Sequence, residues 1–373
     1  MSPATTPNPP VTINGTSRPV PAQLGTVHAG GDRNDPAGDD LSTMRAVVQD
    51  RYGTADVLRL SRIPVPEMAD DEVRLRVAAA GLARGTWHLM TGKPYAGRLA
   101  FGLRRPRNPV PGMDVAGTVV AVGAAVTRFA PGDDVFGFGK GTFAEYAVAR
   151  EDKLAHKPST ITVEQAAVVP VSAATALQAL TDVGHLRSGQ SVLVIGASGA
   201  VGGYAVQLAK ALGATVTGVA STGKLDLVRS FGADEVIDYT RDDWSDGARR
   251  YDLVLDIAGN PALSRLRRAL VPTGTAVIVG GEEGGNLTGG MNRPLSAVAL
   301  SLMVRQRLTM FIAKQRASDL ERLAGFIEAG TVTPRVDRTY PLEETADAMR
   351  YLAAGQARGQ IAVTTGMGMP RSG

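Results

Sequence analysis

At 373 residues, the chain is longer than one ordinary hydrophobic core serves, so two domains are expected. A formal net charge of only +4 gives no basic stripe of the kind nucleic acid requires, and no nucleic-acid partner is expected. With no cysteine and four scattered histidines (His28, His88, His156 and His185), neither disulfides nor a thiolate or histidine metal site is expected.

Residues 1–43 are dominated by Pro, Gly, Thr, Asn and Asp and read as a disordered tail. They lack the apolar centre of a signal peptide, and the acids of "GGDRNDPAGDD" argue against a transit peptide. Ordered sequence begins at "MRAVVQDRYG" (44–53). Short strand patterns follow, "DEVRLRVAAAG" (71–81) and "DVAGTVVAVG" (114–123), separated by Gly/Pro turns, as in an irregular β-barrel or sandwich. A basic loop, "GLRRPRNP" (102–109), reads as a solvated surface or as an attractor of acidic groups.

The pattern changes near residue 162. Apolar strands now alternate with helices: "SVLVIG" (191–196), "TVTGVA" (215–220), "EVIDY" (235–239), "DLVLDIAG" (252–259) and "TAVIVGG" (275–281). Continuously apolar strands are buried on both faces, which predicts a parallel, doubly wound sheet. The stretch "SAVALSLMVRQRLTMFIA" (296–313) reads as pocket wall, subunit contact or core. Its apolar part, "LSAVALSLMV" (295–304), is about half the roughly 20 residues a membrane span needs, so no membrane insertion and a cytoplasmic location are expected. A helix (319–330), a strand (333–342), a helix (343–355) and a strand (359–365) close the chain and are expected to rejoin the first domain. The predicted division is 44–163 completed by 332–373, with 164–331 as the second domain.

The turn from Gly196 through Ala197, Ser198, Gly199, Ala200 and Val201 to Gly202 lies between a predicted strand and a predicted helix, with the pattern A-x-G-x-x-G. Gly199 lets backbone approach a pyrophosphate, and Gly202 lets helix pack on strand. The helix start offers N–H groups and partial positive charge. The second strand of the series ends "GVASTGK" (218–224), without the acid that usually holds the ribose hydroxyls of NAD. Asp226 falls inside the following helix, whereas Ser221 and Lys224 suit the extra phosphate of NADP(H). The turns at Ala258–Gly259 and Gly280–Gly281 end two parallel strands and are expected to border the nicotinamide.

Four stretches in order, "PGMDVAGTVVAVG" (111–123), "PGDDVFGFG" (131–139), "GASGAVGGYAVQLAK" (196–210) and "GADEVIDY" (232–239), resemble the zinc-independent, quinone oxidoreductase-like medium-chain dehydrogenases/reductases, within the NAD(P)-dependent alcohol dehydrogenase superfamily. The resemblance spans 44–366. It implies a GroES-like β-rich catalytic domain beside a Rossmann domain, an active site in the cleft between them, and a homodimer. It also implies that Tyr239 joins Ser221 and Lys224 at the 2′-phosphate. Where zinc-dependent members have a catalytic cysteine this chain has Ala83 or Arg84, and Met113–Asp114 replaces their His-Glu pair.

The reaction then expected is hydride transfer from NADPH to a quinone or an α,β-unsaturated carbonyl, followed by a proton. The donor candidates are His88, where relatives carry a tyrosine, and Tyr95, one place beyond the tyrosine of the enoyl-reductase cousins. Thr175 resembles the family's threonine near the nicotinamide. Arg84 offers an anchor for an anion and Trp87 a flat face for a ring, as pocket residues. Two other readings use the same motifs: a tailoring reductase or alcohol dehydrogenase for one specialised metabolite, and a non-catalytic NADPH-binding sensor or scaffold.

Overall fold

The computed structural model describes residues 42–280 and 292–368. All but the last two residues of the expected tail lie outside that range, as does Gly281.

The first part of the chain forms β1 (Thr43–Val48), β2 (Arg59–Pro64), β3 (Glu72–Gly81), α1 (Arg84–Thr91), α2 (Arg98–Phe101), β4 (Asp114–Val122), β5 (Asp134–Phe138), β6 (Tyr146–Arg150) and β7 (Leu154–His156). Helices α3 (Val163–Ala167) and α4 (Pro170–Gln178) lead out of it. Then come β8 (Ser191–Ile195), α5 (Ala200–Ala211), β9 (Thr215–Ala220), α6 (Leu225–Ser230), β10 (Glu235–Asp238), β11 (Tyr251–Asp256), α7 (Leu263–Ala269), β12 (Leu270–Ile278), α8 (Asn292–Ser301) and β13 (Arg307–Met310). The chain ends with α9 (Ala317–Glu328), β14 (Val336–Pro341), α10 (Thr345–Ala353) and β15 (Gln360–Thr364).

The six-stranded sheet runs β10-β9-β8-β11-β12-β13, and every pairing in it is parallel. Alternation along β8 explains its apolar run: Val192 and Val194 pack with α4 and α5, while Leu193 and Ile195 pack on the opposite face with Leu266 and Ala297. The order reverses at β8, which opens a crevice at the carboxyl ends of β8 and β11. The seven-stranded sheet runs β14-β15-β3-β4-β5-β7, with β6 also on β3. Val73, Leu75, Val77, Phe143 and Leu154 fill its interior. Strands β14 and β15 join this sheet although they follow the Rossmann segment in sequence; β15 runs antiparallel to β3.

One strand escaped the sequence reading. β13, "RLTM", is four residues long and polar at two of them, as suits a short edge strand; it sits inside a segment read as pocket wall, subunit contact or core. The preceding helix α8 buries Ala297 but leaves Leu295 and Val298 exposed, so that helix is not wholly core.

Candidate active site

The glycine turn is shaped by close contacts. Gly196 follows β8 with φ +85°, and a Cβ there would lie 2.5 Å from the Cβ of Ala258 at the end of β11. A Cβ on Gly202 would lie 2.1 Å from the Gly196 carbonyl oxygen, so the side-chain-free position brings α5 onto β8. Gly199 is different. It is the N-cap of α5 in extended backbone, and a Cβ there would meet only the Gly196 oxygen, at 3.4 Å. Its Cα therefore faces nearly open space. No side chain caps α5, so the N–H groups of its first turn, including Ala200 and Val201, have no intrahelical acceptor.

The neighbouring turn follows β9. Register pairs Ala220 with Asp238, which sets Ser221 beside Tyr239 at adjacent strand ends. Tyr239 is exposed. Asp238 is the carboxylate nearest this turn, but it accepts hydrogen bonds from the hydroxyls of Thr222 and Thr240, which hold its carboxyl below the usual range. Lys224 Nζ donates to the carbonyls of Gly355 and Ala357, each at 3.1 Å. Arg358 Nη1 donates to the Gly223 carbonyl at 2.7 Å. Two cations from two domains therefore meet at the turn. Sequence reasoning missed Arg358, because only the return of β15 to the first sheet brings it here. Gln360 completes the interdomain contact by donating to the Ala200 carbonyl at 2.8 Å.

At the carboxyl ends of β11 and β12, Gly259 has φ +86°, and a Cβ on Gly280 would lie 2.6 Å from the Ile257 carbonyl oxygen. Behind these turns Asp256 is fully buried and ion-paired with Arg293. Burial pushes its carboxyl up to about 6, and its Oδ1 has no hydrogen-bond partner. Thr175, on α4, donates its hydroxyl to the Val171 carbonyl at 2.7 Å, an ordinary helix-interior bond.

Helix α1 carries Arg84, Trp87 and His88. The Arg84 guanidinium lies 5.4 Å from the Trp87 ring, and Trp87 meets His88 edge-on at 5.1 Å. His88 Nδ1 lies 2.9 Å from the Lys93 carbonyl, a contact that a protonated Nδ1 satisfies. A cavity of about 240 Å³ opens beside this helix, lined by Gln49, Leu89, Phe101, Met113 and Lys140 among others. His88 borders a smaller space of about 50 Å³ that shares Leu89 and Phe101 with it. Tyr95 lines neither; its ring stacks on the Arg98 guanidinium at 4.5 Å on the outer surface. Arg84, Trp87 and His88 share one helix, but of the predicted residues Arg84, Trp87, His88 and Tyr95 only His88 borders either cavity, and Trp87 packs against the core of the first domain. The roomier clefts, of about 690 and 860 Å³, are lined by none of the predicted site residues.

Gln49 was also missed. Its side chain is buried, with Nε2 donating to the Met90 carbonyl at 3.3 Å and Oε1 without a partner at the cavity wall. A polar residue closing the apolar run "MRAVV" was the available signal.

The donor set does not fit zinc. Met113 offers a thioether where a histidine would be needed, and a Cβ on Gly85 would lie 3.1 Å from its methyl carbon. Asp114 is buried and accepts the Val171 N–H, and burial pushes its carboxyl well up. Among the described residues no three His, Cys, Asp or Glu side chains converge.

Two family models match the chain: alcohol dehydrogenase GroES-like domain over 69–159, and zinc-binding dehydrogenase over 231–363. The NADPH-dependent alkenal/one oxidoreductase of Arabidopsis thaliana is 36% identical, covering 86% of this chain and 79% of its own. The 2-methylene-furan-3-one reductase of Solanum lycopersicum is 33% identical with the same coverage. Among solved structures, the quinone oxidoreductase of Coxiella burnetii superposes with a TM-score of 0.77 at 26% identity, covering 87% of this chain and 99% of its own.

Proposed function

Because the chain belongs to the quinone oxidoreductase-like branch of the medium-chain dehydrogenases/reductases, we propose that it is an NADPH-dependent, zinc-free reductase of quinones or α,β-unsaturated carbonyls. The observation that carries this reading is the pairing of an open glycine turn at Gly199 with a ribose turn that presents Ser221, Lys224, Tyr239 and Arg358. The carboxylate nearest that turn, Asp238, is already engaged by threonines. A dianionic 2′-phosphate matches two cations and two hydroxyls; a bare ribose would be better met by an acid.

The nicotinamide supplies the hydride. The chain's part is to hold, orient and protonate. First-turn N–H groups of α5 would hold the pyrophosphate, and the turns at Ala258–Gly259 and Gly280 would border the ribose and ring. The acceptor would lie against Leu89, Phe101 and Met113 of the cavity wall, while Trp87 packs against the core of the first domain. His88, held through Nδ1–H to the Lys93 carbonyl, would deliver the Nε2 proton of its imidazolium form after the hydride and take a replacement from solvent. Charge on the acceptor oxygen is met by hydrogen bonding and not by a Lewis acid, since the residues at the zinc position are Met113 and a buried Asp114. We extend the reading to a homodimer: β13 is the outer strand of the parallel sheet, and Leu295, Val298, Leu302, Met303 and Ile312 are exposed near it in the chain.

An acceptor panel tests the reading: a benzoquinone, a naphthoquinone, an enone and an aldehyde, each with NADPH or NADH. NADPH-selective turnover of a quinone or enone, insensitive to chelators, is expected. Turnover of the aldehyde alone, or activity lost with one extracted zinc per chain, would contradict it.

A further inference from the structure

We propose that residues 95–107 form a peripheral docking surface for an anionic lipid bilayer, from which a lipophilic acceptor enters the neighbouring cavity. The choice of acceptor rests on the function proposed above; the docking does not. From Val73 to Met113 the chain carries eight Lys or Arg and no Asp or Glu. Within this basic stretch large apolar side chains face outward: Leu99 is 72% exposed, Phe101 51%, Leu103 67% and Tyr95 42%. Arg104, Arg105 and Arg107 are exposed beside them. Asp50, which borders the same groove, faces Arg59 at 3.7 Å.

The segment is braced, so these side chains cannot simply fold inward. The Arg98 guanidinium lies between the rings of Tyr52 and Tyr95, at 4.4 and 4.5 Å, and its Nε donates to the Gly92 carbonyl at 2.9 Å. The Tyr52 hydroxyl donates to the Gly102 carbonyl, and the Arg107 N–H to that of Phe101. Phe101 and Arg107 also line the 240 Å³ cavity that reaches Met113, so one short stretch serves both the outer surface and the cavity wall.

Apolar tips set among arginines match a bilayer interface, where the tips enter the acyl boundary and the guanidiniums meet anionic headgroups. A second copy of this surface would bring like charges together. The attachment is peripheral: no helix among the described residues is long and apolar enough to cross a membrane.

The test is co-sedimentation of the full chain with vesicles of phosphatidylcholine alone or mixed with phosphatidylglycerol. Binding to the anionic vesicles only, weakened by salt, is expected. Arg104→Gln with Arg105→Gln should weaken that binding by roughly tenfold or more, at the strength usual for each basic residue near such a surface. Leu99→Asp with Leu103→Asp should abolish it with every arginine retained. Both variants should keep wild-type turnover of a water-soluble benzoquinone, which also shows that they fold, and lose turnover of a long-tailed quinone held in anionic vesicles. Equal sedimentation of wild type and variants would overturn the proposal. So would salt-sensitive retention on a polyglutamate resin without vesicle binding, which would assign the surface to an acidic protein. Vesicle binding without reduction of any quinone or enone would leave the docking surface standing and remove the proposed reaction instead.

Discussion

On the proposed reading, cofactor choice turns on Lys224. Its ammonium already bridges the carbonyls of Gly355 and Ala357, and a third N–H remains for a phosphate oxygen. A charge-assisted hydrogen bond of about 1.5–3 kcal/mol corresponds to roughly ten- to a hundredfold in affinity. Lys224→Ala should therefore raise the Kd for NADPH by that factor and leave NADH unchanged, and Arg358→Ala should act in the same direction. Equal losses for both cofactors in a titration would contradict the assignment. Asp256 makes a separate prediction about stability. Burial raises its carboxyl from 3.8 to about 6, so the folded chain keeps a proton that the unfolded chain has released. Stability tied to this group is fully present below 3.8 and is lost as pH rises toward about 6. Calorimetry of Asp256→Asn across that window should show a flatter Tm profile than wild type; parallel profiles would contradict it.

The turn between β8 and α5 separates two uses of glycine. Gly202→Ala places a Cβ 2.1 Å from the Gly196 carbonyl oxygen and must push α5 from the sheet, costing about 1–3 kcal/mol. Gly199→Ala meets nothing closer than 3.4 Å, so it should fold within about 0.5 kcal/mol of wild type and lose NADPH affinity through its new methyl group. Chemical denaturation and cofactor titration of both variants distinguish these outcomes; a Gly199→Ala chain that is destabilised but binds normally would reverse the roles. This turn was legible in sequence because its geometry is local: strand, three glycines and helix lie within a dozen residues. So was the doubly wound sheet, whose strands declare themselves by apolar runs buried on both faces. β13 was not, since a short edge strand with Arg307 and Thr309 has no such run. Arg358 belongs to a contact made only after the chain has folded back on itself, with no sequence neighbour that marks it, whereas Gln49 had only its place at the end of an apolar run to mark it. Tyr95 shows the converse, a plausible residue type whose backbone carries it to the outer surface.

For the whole molecule, the exposed apolar side chains fall into two groups with different surroundings. Those of 95–103 lie among arginines, whereas Leu295, Val298, Leu302, Met303 and Ile312 flank the free edge of the parallel sheet in sequence. Continuing that sheet into a second copy would satisfy the edge and cover the apolar group together. Leu302 and Met303 are 88% and 85% exposed, so Leu302→Asp with Met303→Asp should leave the fold intact and yield a monomer by light scattering. A wild-type chain that is already monomeric would contradict the dimer. The central claim is hydride delivery to an activated double bond. Its most direct test is turnover of an α,β-unsaturated ketone with NADPH deuterated at the transferred position of C4, followed by mass and NMR analysis of the product. The account predicts a saturated ketone with deuterium on the β-carbon. Deuterium on the carbonyl carbon of an allylic alcohol, or NADPH bound tightly and never consumed, would contradict it.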